Sequence, residues 1–417
     1  TDFYKKAFTD LECSLIRSST DGAYIFVPSA QEVSSAIYGF AGNPARIAVS
    51  ASGGTSASYW LRSDSTEGST NVPGYVNETG DIESDTNGNG EAGIRPALYL
   101  DSSNNNFRLA SAAEDAKSAA GMERGVAAVQ PLEVTEWKLT ISGGSNPNFN
   151  VVAYDVGDYF YLAYTGATVG TNEYISAYFS ILENGNTVIT HYGRLGKVTG
   201  SSGTIKVAKA SLPLDKSFWI YNEQYNGDRR TDYANGLVRF NPNSSACCVP
   251  SVEVTTSLTD ITSSNNAPYA AKSDDYTITL TPDKGYMLPN DVTVTVGGKA
   301  LAASDYTYDA ARGALTIRKE KLTGTLSITA AGVQKTWGIE ATPTQLVFDT
   351  QSYGYAALEP KLVTIKSTGN QPVTLSLPTA GTQAGNYEIE PRTGFANGSV
   401  TLAEGKTASF IIRPQTG

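Results

Sequence analysis

Histidine and cysteine are almost absent from this sequence of 417 residues, which contains one His and three Cys. Because His191 is the single histidine, Ser-His-Asp or Cys-His catalysis could use only this residue unless another group serves as the base, and metal sites built on several histidines are excluded. His191 lies in an apolar strand pattern, so we expect an ordinary strand residue. The cysteines are Cys13 and the adjacent pair Cys247 and Cys248, and this odd, unspaced set predicts neither a disulfide framework nor a zinc site.

Long apolar runs and clusters of basic residues are also missing. No run approaches the roughly 18 residues that a membrane-spanning helix requires, so we predict no membrane span. The N-terminal segment TDFYKKAFTD has no apolar signal core, and we expect the export signal and any anchor to lie outside this sequence. The net charge of -10, from 31 Lys and Arg against 41 Asp and Glu, opposes contact with phosphates, so we expect no nucleic-acid partner.

Residues that favour strands and tight turns are abundant, with 40 Gly and 24 Tyr, and they predict a mainly β protein. Because domains usually contain about 100 to 150 residues, the chain should form several. We expect the first and last to be truncated by the ends of the sequence. The predicted domains are an irregular α+β module at 1–108, a linker at 109–133, and three β-sandwiches at 134–245, 251–333 and 338–417.

Apolar and polar residues alternate from Trp137 onwards, which places one face of each strand in a core and leaves the other in water. Asn184-Gly185 separates two such runs and predicts a hairpin over 174–192 with a two-residue turn. In the last sandwich, the segment QLVFD at 345–349 predicts the first strand.

The first module carries a WLRS segment at 60–63, a VNETG segment at 76–80 and an RPAL segment at 95–98. It resembles an uncharacterised domain common in exported proteins of Gram-positive gut bacteria. The resemblance implies a C-type-lectin-like fold, akin to that of formylglycine-generating enzymes, with a loop face that binds a ligand. It does not imply their activity, which depends on reactive cysteines, because this module contains only Cys13. We expect Trp60, Arg62 and Arg95 to have structural roles.

The later modules carry motifs of their own. Residues 131–245 look like the module that often follows the first domain. Residues 251–332 resemble a bacterial surface repeat, on the segment from YTITLTP to VTVTVGG at 276–298, and residues 338–417 resemble an Ig-like module, on VTIKSTGNQPVTL. Such modules are spacers or adhesive stalks in large surface proteins, so the resemblance implies display rather than catalysis.

One turn in the first module is a candidate calcium site. Asp85, Asn87 and Asn89 place oxygen ligands at alternate positions, with glycine at the sixth, as at the start of an EF-hand loop. The twelfth residue, which should be a bidentate Glu, is Pro96. Ordinary surface turns have the same composition, and we favour the interpretation as a turn. Calcium binding is the alternative, and we predict no other cofactor.

A polar segment that follows the apolar run FWIY is the candidate ligand-binding site. Its amides, carboxylates and tyrosine suit hydrogen bonds to sugar hydroxyls, stacking on a sugar ring, or calcium. The same groups can also stabilise a turn internally, and we favour that structural role. The candidate residues are Asn222, Glu223, Asn226, Asp228, Asp232 and Tyr233.

The sequence therefore predicts no catalytic residues. The function we prefer is non-enzymatic adhesion or ligand recognition by a secreted or cell-surface protein. The expected partner is a host or microbial surface glycan or protein, and carbohydrate is one of the ligands that this function includes. One alternative is a purely structural stalk of a larger surface protein. A second is an ancillary part of an extracellular glycan-active enzyme, which requires two carboxylates roughly 5 to 9.5 Å apart in a cleft. The ligand and the oligomeric state are not predicted.

Overall fold

The computed structural model describes residues 2–63, 72–85, 91–101, 107–108, 126–128, 138–183, 186–227, 230–241, 248–379, 385–395 and 397–416. It is mainly β with several separate sheets, which confirms the predicted multi-domain β class. The chain forms two compact units, Thr1–Ala153 with Asp158–Cys248, and Tyr154–Gly157 with Val249–Gly417. None of the helices in these described ranges has the length and apolar character to cross a membrane.

The first module combines short helices with short strands, as predicted for an α+β unit. Its helices are α1 (Asp2–Ala7), α2 (Asp10–Leu15), α3 (Ala30–Val33) and α4 (Asn43–Arg46). Its strands are β1 (Ile16–Arg17), β2 (Ala48–Val49), β3 (Ser56–Ala57), β4 (Tyr59–Trp60), β5 (Gly74–Val76), β6 (Ile82–Ser84) and β7 (Tyr99–Leu100). β1 pairs with β7, β2 with β3, and β4, β5 and β6 form an antiparallel sheet. The C-type-lectin-like fold stays a prediction.

Side-chain caps explain where two of these helices begin. Thr9 and Glu12 form a reciprocal capping box at the start of α2, and Ser29 and Glu32 form another at the start of α3. Each box satisfies backbone N–H groups that a helix start leaves without partners. One core cluster of the module consists of the buried residues Val33, Tyr59, Leu61 and Val76.

The next strands build a sandwich of two sheets. They are β8 (Phe107–Arg108), β9 (Ala127–Ala128), β10 (Thr140–Ser142), β11 (Asn150–Val156), β12 (Tyr159–Thr165), β13 (Glu173–Glu183), β14 (Asn186–Lys197), β15 (Gly203–Ala208), β16 (Ser217–Gln224) and β17 (Asp232–Phe240). One sheet has the order β8-β10-β17-β16-β13-β14-β9, and β15, β12 and β11 are neighbours in the other. Between the sheets, alternate residues of β13, such as Ile175 and Phe179, pack on Phe160 and Leu162.

The predicted hairpin is confirmed, because β13 and β14 are antiparallel and Glu183 pairs with Asn186. The turn residues themselves, 184–185, lie outside the described residues. β9 falls within the predicted linker and pairs with β14 at His191, which is a strand residue as expected.

Part of the outer face of the seven-stranded sheet is also buried, so the expectation of one wet face is wrong for that part. Ser176, Tyr178, Tyr192 and Tyr221 point away from the sandwich core, yet each is at most 5% exposed. Sequence alternation distinguishes the two faces of a strand, but it does not reveal that a polar and aromatic face is also covered.

The second unit contains two further groups of sheets with separate cores. Its first strands are β18 (Cys248–Thr259), β19 (Ile261–Ser263), β20 (Tyr269–Ala271), β21 (Tyr276–Pro282), β22 (Tyr286–Met287), β23 (Thr293–Val296), β24 (Lys299–Ala300), β25 (Tyr306–Asp309), β26 (Ala314–Ile317), β27 (Leu326–Ala331) and β28 (Val333–Gln334). The neighbours β18-β27-β23-β24 face the sheet β19-β21-β26-β25 across a core that includes Val254, Ile278, Leu315 and Ile328.

The last strands are β29 (Ile339–Thr342), β30 (Lys361–Ser367), β31 (Val373–Ser376), β32 (Tyr387–Thr393), β33 (Ser399–Leu402) and β34 (Thr407–Pro414). They form a four-stranded sheet, β29-β30-β34-β32, and a two-stranded sheet, β31-β33. The prediction of a strand at 345–349 is wrong, and the first strand of this module is β29. Leu346 packs on the core through its side chain, although the backbone of 345–349 joins no strand ladder.

Gly313, in the turn between β25 and β26, is expected to be the least tolerant glycine of its module. Its φ is +72°, and an added Cβ would lie 2.0 Å from the carbonyl oxygen of Leu280. Gly297 also has a positive φ, +56°, but no atom lies within 4 Å of the place that a Cβ would occupy there. A left-handed φ costs an alanine about 1 to 2 kcal/mol, whatever the space. We expect Gly313→Ala to lose about 2 kcal/mol more than Gly297→Ala in urea unfolding, since overpacking adds its own cost. Equal losses would contradict the steric explanation.

Candidate functional site

The segment predicted as a ligand-binding loop lies mostly in strands. Asn222 and Glu223 end β16, and Asp232 and Tyr233 begin β17, so the prediction of a loop is wrong for these four residues. Asn226 lies in the connection between the strands. Of the remaining candidates, Asp228 lies outside the described residues. Polar side chains occupy some buried positions of β17, so the alternation of apolar and polar residues that predicts a strand is missing from its sequence.

Glu223 and Asp232 belong to a buried ion cluster that also contains Lys138 and Arg194. Nε of Arg194 lies 3.3 Å from Oε2 of Glu223, and its Nη2 lies 3.1 Å from Oδ2 of Asp232. Nζ of Lys138 lies 2.9 Å from the other carboxylate oxygen, Oδ1 of Asp232. The side chains of both carboxylates are 0% exposed. Two positive and two negative charges therefore neutralise one another inside the fold.

Hydrogen bonds from neighbouring strands complete the surroundings of Glu223. The hydroxyl of Thr140 donates to Oε1 over 2.6 Å, and that of Ser176 donates to Oε2 over 2.6 Å. The hydroxyl of Tyr192 also donates to Oε2, and burial raises the pKa of this tyrosine well above its usual value. The protein itself therefore supplies hydrogen-bond donors to both carboxylate oxygens of Glu223, and a ligand-binding role for this residue stays a prediction.

Asp232 is satisfied in the same way. Its Oδ1 accepts the backbone N–H of Asn226 over 2.9 Å in addition to the ion pair with Lys138. The side chain of Asn226 in turn donates to the carbonyl of Thr231 over 2.8 Å. Asn226 and Asp232 therefore shape the turn between β16 and β17.

A groove of about 450 Å³ is lined in part by Gln224 and Tyr233, which follow Glu223 and Asp232 of this cluster in the sequence. Thr9 of the α2 cap contributes to one side, and its hydroxyl lies 3.1 Å from that of Tyr233. We call it the polar groove. Its lining residues include Thr9, Asp10, Thr168, Glu173, Gln224, Tyr233 and Asn235.

Glu173 is the most buried acidic residue of the polar groove, at 3% exposure. Its Oε2 accepts a hydrogen bond from Nδ2 of Asn222 over 2.7 Å, and Oδ1 of Asn222 accepts the backbone N–H of Thr168 over 2.6 Å. Burial raises the pKa of the Glu173 carboxyl; the bond from Asn222 opposes this, and the negative charge of Glu223 adds to it. Asn222, a predicted ligand residue, is fully buried and positions Glu173 instead.

Most residues of the polar groove were not predicted. Thr9 and Asp10, Thr168 and Glu173, and Gln224 and Asn235 come from separate parts of the chain. The one sequence signal for the groove was Glu173, an acidic residue at the start of the apolar strand EYISAYFS. Tyr233 is the predicted ligand residue that lines the groove.

Arg62 of the WLRS segment is held inside the first module, as expected. Its two terminal nitrogens lie 2.7 and 3.0 Å from the carboxylate oxygens of Glu32, and one of them donates to the carbonyl of Val27 over 3.1 Å. The guanidinium also lies 4.8 Å from the ring centroid of Phe26. Burial alone would raise the pKa of Glu32, but hydrogen bonds from Arg62, Tyr99 and the α3 cap outweigh it and lower the pKa to about 2.

Arg95 and Trp60 have internal partners as well. Arg95 donates to the carbonyl of Arg46 over 3.0 Å and lies 5.2 Å from the ring centroid of Tyr59. Trp60 is half-buried and packs edge-on against Tyr75, with ring centroids 5.9 Å apart. Both motif segments therefore hold the module together.

The candidate calcium turn can be described only in part. The backbone N–H of Asp85 donates to the carbonyl of Pro73 over 2.9 Å, whereas Asn87 and Asn89 lie outside the described residues. Within the described part of the chain, no three His, Cys, Asp or Glu side chains are grouped to hold a metal ion. The calcium site stays a prediction.

Comparison with known proteins adds little about function. Residues 16–102, less than half of the chain, match a family described as Domain of unknown function (DUF6273). Similar solved structures include the GH family 64 laminaripentaose-producing β-1,3-glucanase from Paenibacillus barengoltzii, alone and complexed with laminarihexaose. Each is 10% identical with a TM-score of 0.16, over 61% of this chain and 63% of the glucanase. The chain thus spans less than two thirds of that enzyme, and so low a score carries no argument. No curated protein matches the chain.

Proposed function

We propose that this chain is a non-enzymatic recognition protein, secreted or at the cell surface, that binds carbohydrate in the polar groove. The observation that carries the proposal is the composition of the groove. Gln224 and Asn235 offer amide donors and acceptors, Thr168 offers a hydroxyl, Glu173 offers a carboxylate, and Tyr233 offers an aromatic ring. Sugar hydroxyls both donate and accept, so mixed groups of this kind match them.

Gln224 is the clearest ligand contact in this proposal. Its side chain is half-buried and makes no hydrogen bond to any residue that the structure describes. Asn235, in contrast, donates to the hydroxyl of Thr168 over 3.3 Å. A polar amide that lines a groove without a protein partner is available to a ligand hydroxyl.

We expect Gln224→Ala to weaken binding of a groove-bound glycan about tenfold, since the loss of a hydrogen bond costs about 1 to 1.5 kcal/mol. The measurement is a titration of the full chain with a glycan selected from an array. Gln31→Ala is the matched control, because Gln31 is an exposed amide of α3 in the same unit and does not line the groove. Equal weakening by both variants, or none by Gln224→Ala, would refute the assignment of the groove.

One observation favours a second candidate, an ancillary part of a glycan-active enzyme. Asp10 and Glu173 both line the polar groove, and a glycosidase needs two carboxyl groups at its cleft. We prefer binding because the other polar side chains of the lining carry amide and hydroxyl groups, which hold sugars without transferring protons. Release of shorter oligosaccharides from the bound glycan, abolished in Glu173→Gln, would support the enzyme instead. A full chain that binds no glycan would leave the structural stalk.

A further inference from the structure

We infer that the polar groove selects sugars that carry a protonated amino group, as hexosamines do, over their neutral N-acetylated forms. This inference rests on the proposed function and names the class of carbohydrate. It is carried by the charge of the groove, by one unoccupied carboxylate oxygen, and by the neutral groups that surround it.

The charge of the groove has one sign. Asp10 and Glu173 supply two carboxyl groups, and none of the described lining residues is Lys, Arg or His. The buried ion cluster differs in this respect, because Arg194 and Lys138 there offset Glu223 and Asp232. The groove thus presents negative charge to whatever enters it, and a cation is the complementary ligand.

Glu173 offers this ligand a hydrogen-bond acceptor, its carboxylate oxygen Oε1. Oε2 is occupied by Asn222, whereas Oε1 has no hydrogen-bond partner among the residues that the structure describes. The residue is only 3% exposed, yet it lines the groove. Because Oε1 lacks a donor from the described residues, it can accept one from a ligand, and an N–H⁺ donor forms a stronger bond to a carboxylate than a neutral donor does.

The neutral lining groups distinguish an amino sugar from a simple amine. A small ammonium ion would satisfy Glu173 but would leave the side-chain amide of Gln224 without a partner. A hexosamine carries an ammonium group and hydroxyls on one ring, so it can use Glu173, Gln224 and Thr168 together. The ring also presents an apolar face to Tyr233.

The test compares two ligands that differ only in the amine. Oligomers of β-1,4-linked glucosamine and their fully N-acetylated counterparts are titrated into the full chain at pH 6 and low salt. We expect the glucosamine oligomer to bind at least tenfold more tightly. Because exposed charge attraction is screened by salt, the preference should shrink in 0.5 M NaCl.

Glu173→Gln should reduce this preference to less than twofold, because the amide keeps the size of the side chain and removes its charge. Glu183→Gln is the matched control, since Glu183 is an exposed residue at the opposite end of β13 and its replacement changes the net charge equally. If Glu173→Gln does not fold, Asp10→Asn, at an exposed residue of the groove, should still lower the preference about threefold.

The outcomes separate this inference from the proposed function. Equal binding of both oligomers, or a preference unchanged in Glu173→Gln and in Asp10→Asn, overturns the inference and leaves carbohydrate recognition standing. Binding of neutral glycans without binding of the glucosamine oligomer would also overturn the inference and leave carbohydrate recognition standing. A full chain that binds no glycan of any kind overturns both.

Discussion

Arg194→Met will destabilise the first compact unit by about 3 to 5 kcal/mol, the cost of leaving a buried charge without its partner. Arg194 lies between Glu223 and Asp232, and its side chain is 1% exposed. Methionine fills a similar volume but leaves two carboxylates with only Lys138 to offset them. The loss is to be measured by urea unfolding, with hydrogen exchange of peptides from β13 to β17 to assign it to this sheet.

Two further variants test whether charge is the cause. Arg194→Met combined with Glu223→Gln leaves Asp232 paired with Lys138, so at least half of the lost stability should return. Arg239→Met is the matched control, because Arg239 is an exposed residue of β17 in the same sheet. If the double variant is no more stable than Arg194→Met, lost packing rather than unbalanced charge is responsible.

Acid will weaken the first module through Glu32, and Glu32→Gln will remove that part of the pH dependence. The folded pKa of Glu32 is lowered from 4.5 to about 2. The stability from its ionised form is therefore fully present above pH 4.5, and it is lost as pH falls from 4.5 towards about 2. The lowering corresponds to at most about 3.4 kcal/mol. Since the Arg62 side chain is 30% exposed, we expect about 2 kcal/mol at pH 7.

The measurement is unfolding of the wild type and of Glu32→Gln at pH 7, 4.5, 3 and 2, followed by hydrogen exchange in peptides that contain α3. The difference between the two proteins should be constant above pH 4.5 and should shrink below it. Glu388→Gln, which breaks an exposed ion pair with Arg413, should change stability little at pH 7. Parallel profiles of wild type and Glu32→Gln at every pH would show that the Glu32 carboxylate does not stabilise the module.

Local sequence patterns determined much of the architecture. Strand alternation and the Asn184-Gly185 pair predicted the β13–β14 hairpin, because both signals act between residues close in the chain. The structural roles expected of Arg62 and Arg95 are confirmed, since each donates to partners within the first module.

Contacts between distant segments decided the rest. The sequence around Glu223 gives no sign that Arg194 and Thr140 contact its side chain. The segment therefore resembled a ligand-binding loop, although its polar residues lie at the buried ends of two strands. The segment 345–349 failed as a strand because burial of Leu346 is compatible with a backbone that joins no ladder.

The sequence by itself determined a mainly β chain of several modules, its single histidine excluded metal sites built on several histidines, and its short apolar runs predicted no membrane-spanning helix. Only the tertiary structure decided which of its polar groups are accessible to a ligand. The polar groove joins Asp10, Glu173 and Gln224 from segments far apart in the chain. The physical reason is that periodicity and turn chemistry are local, whereas burial and charge compensation depend on which strands become neighbours.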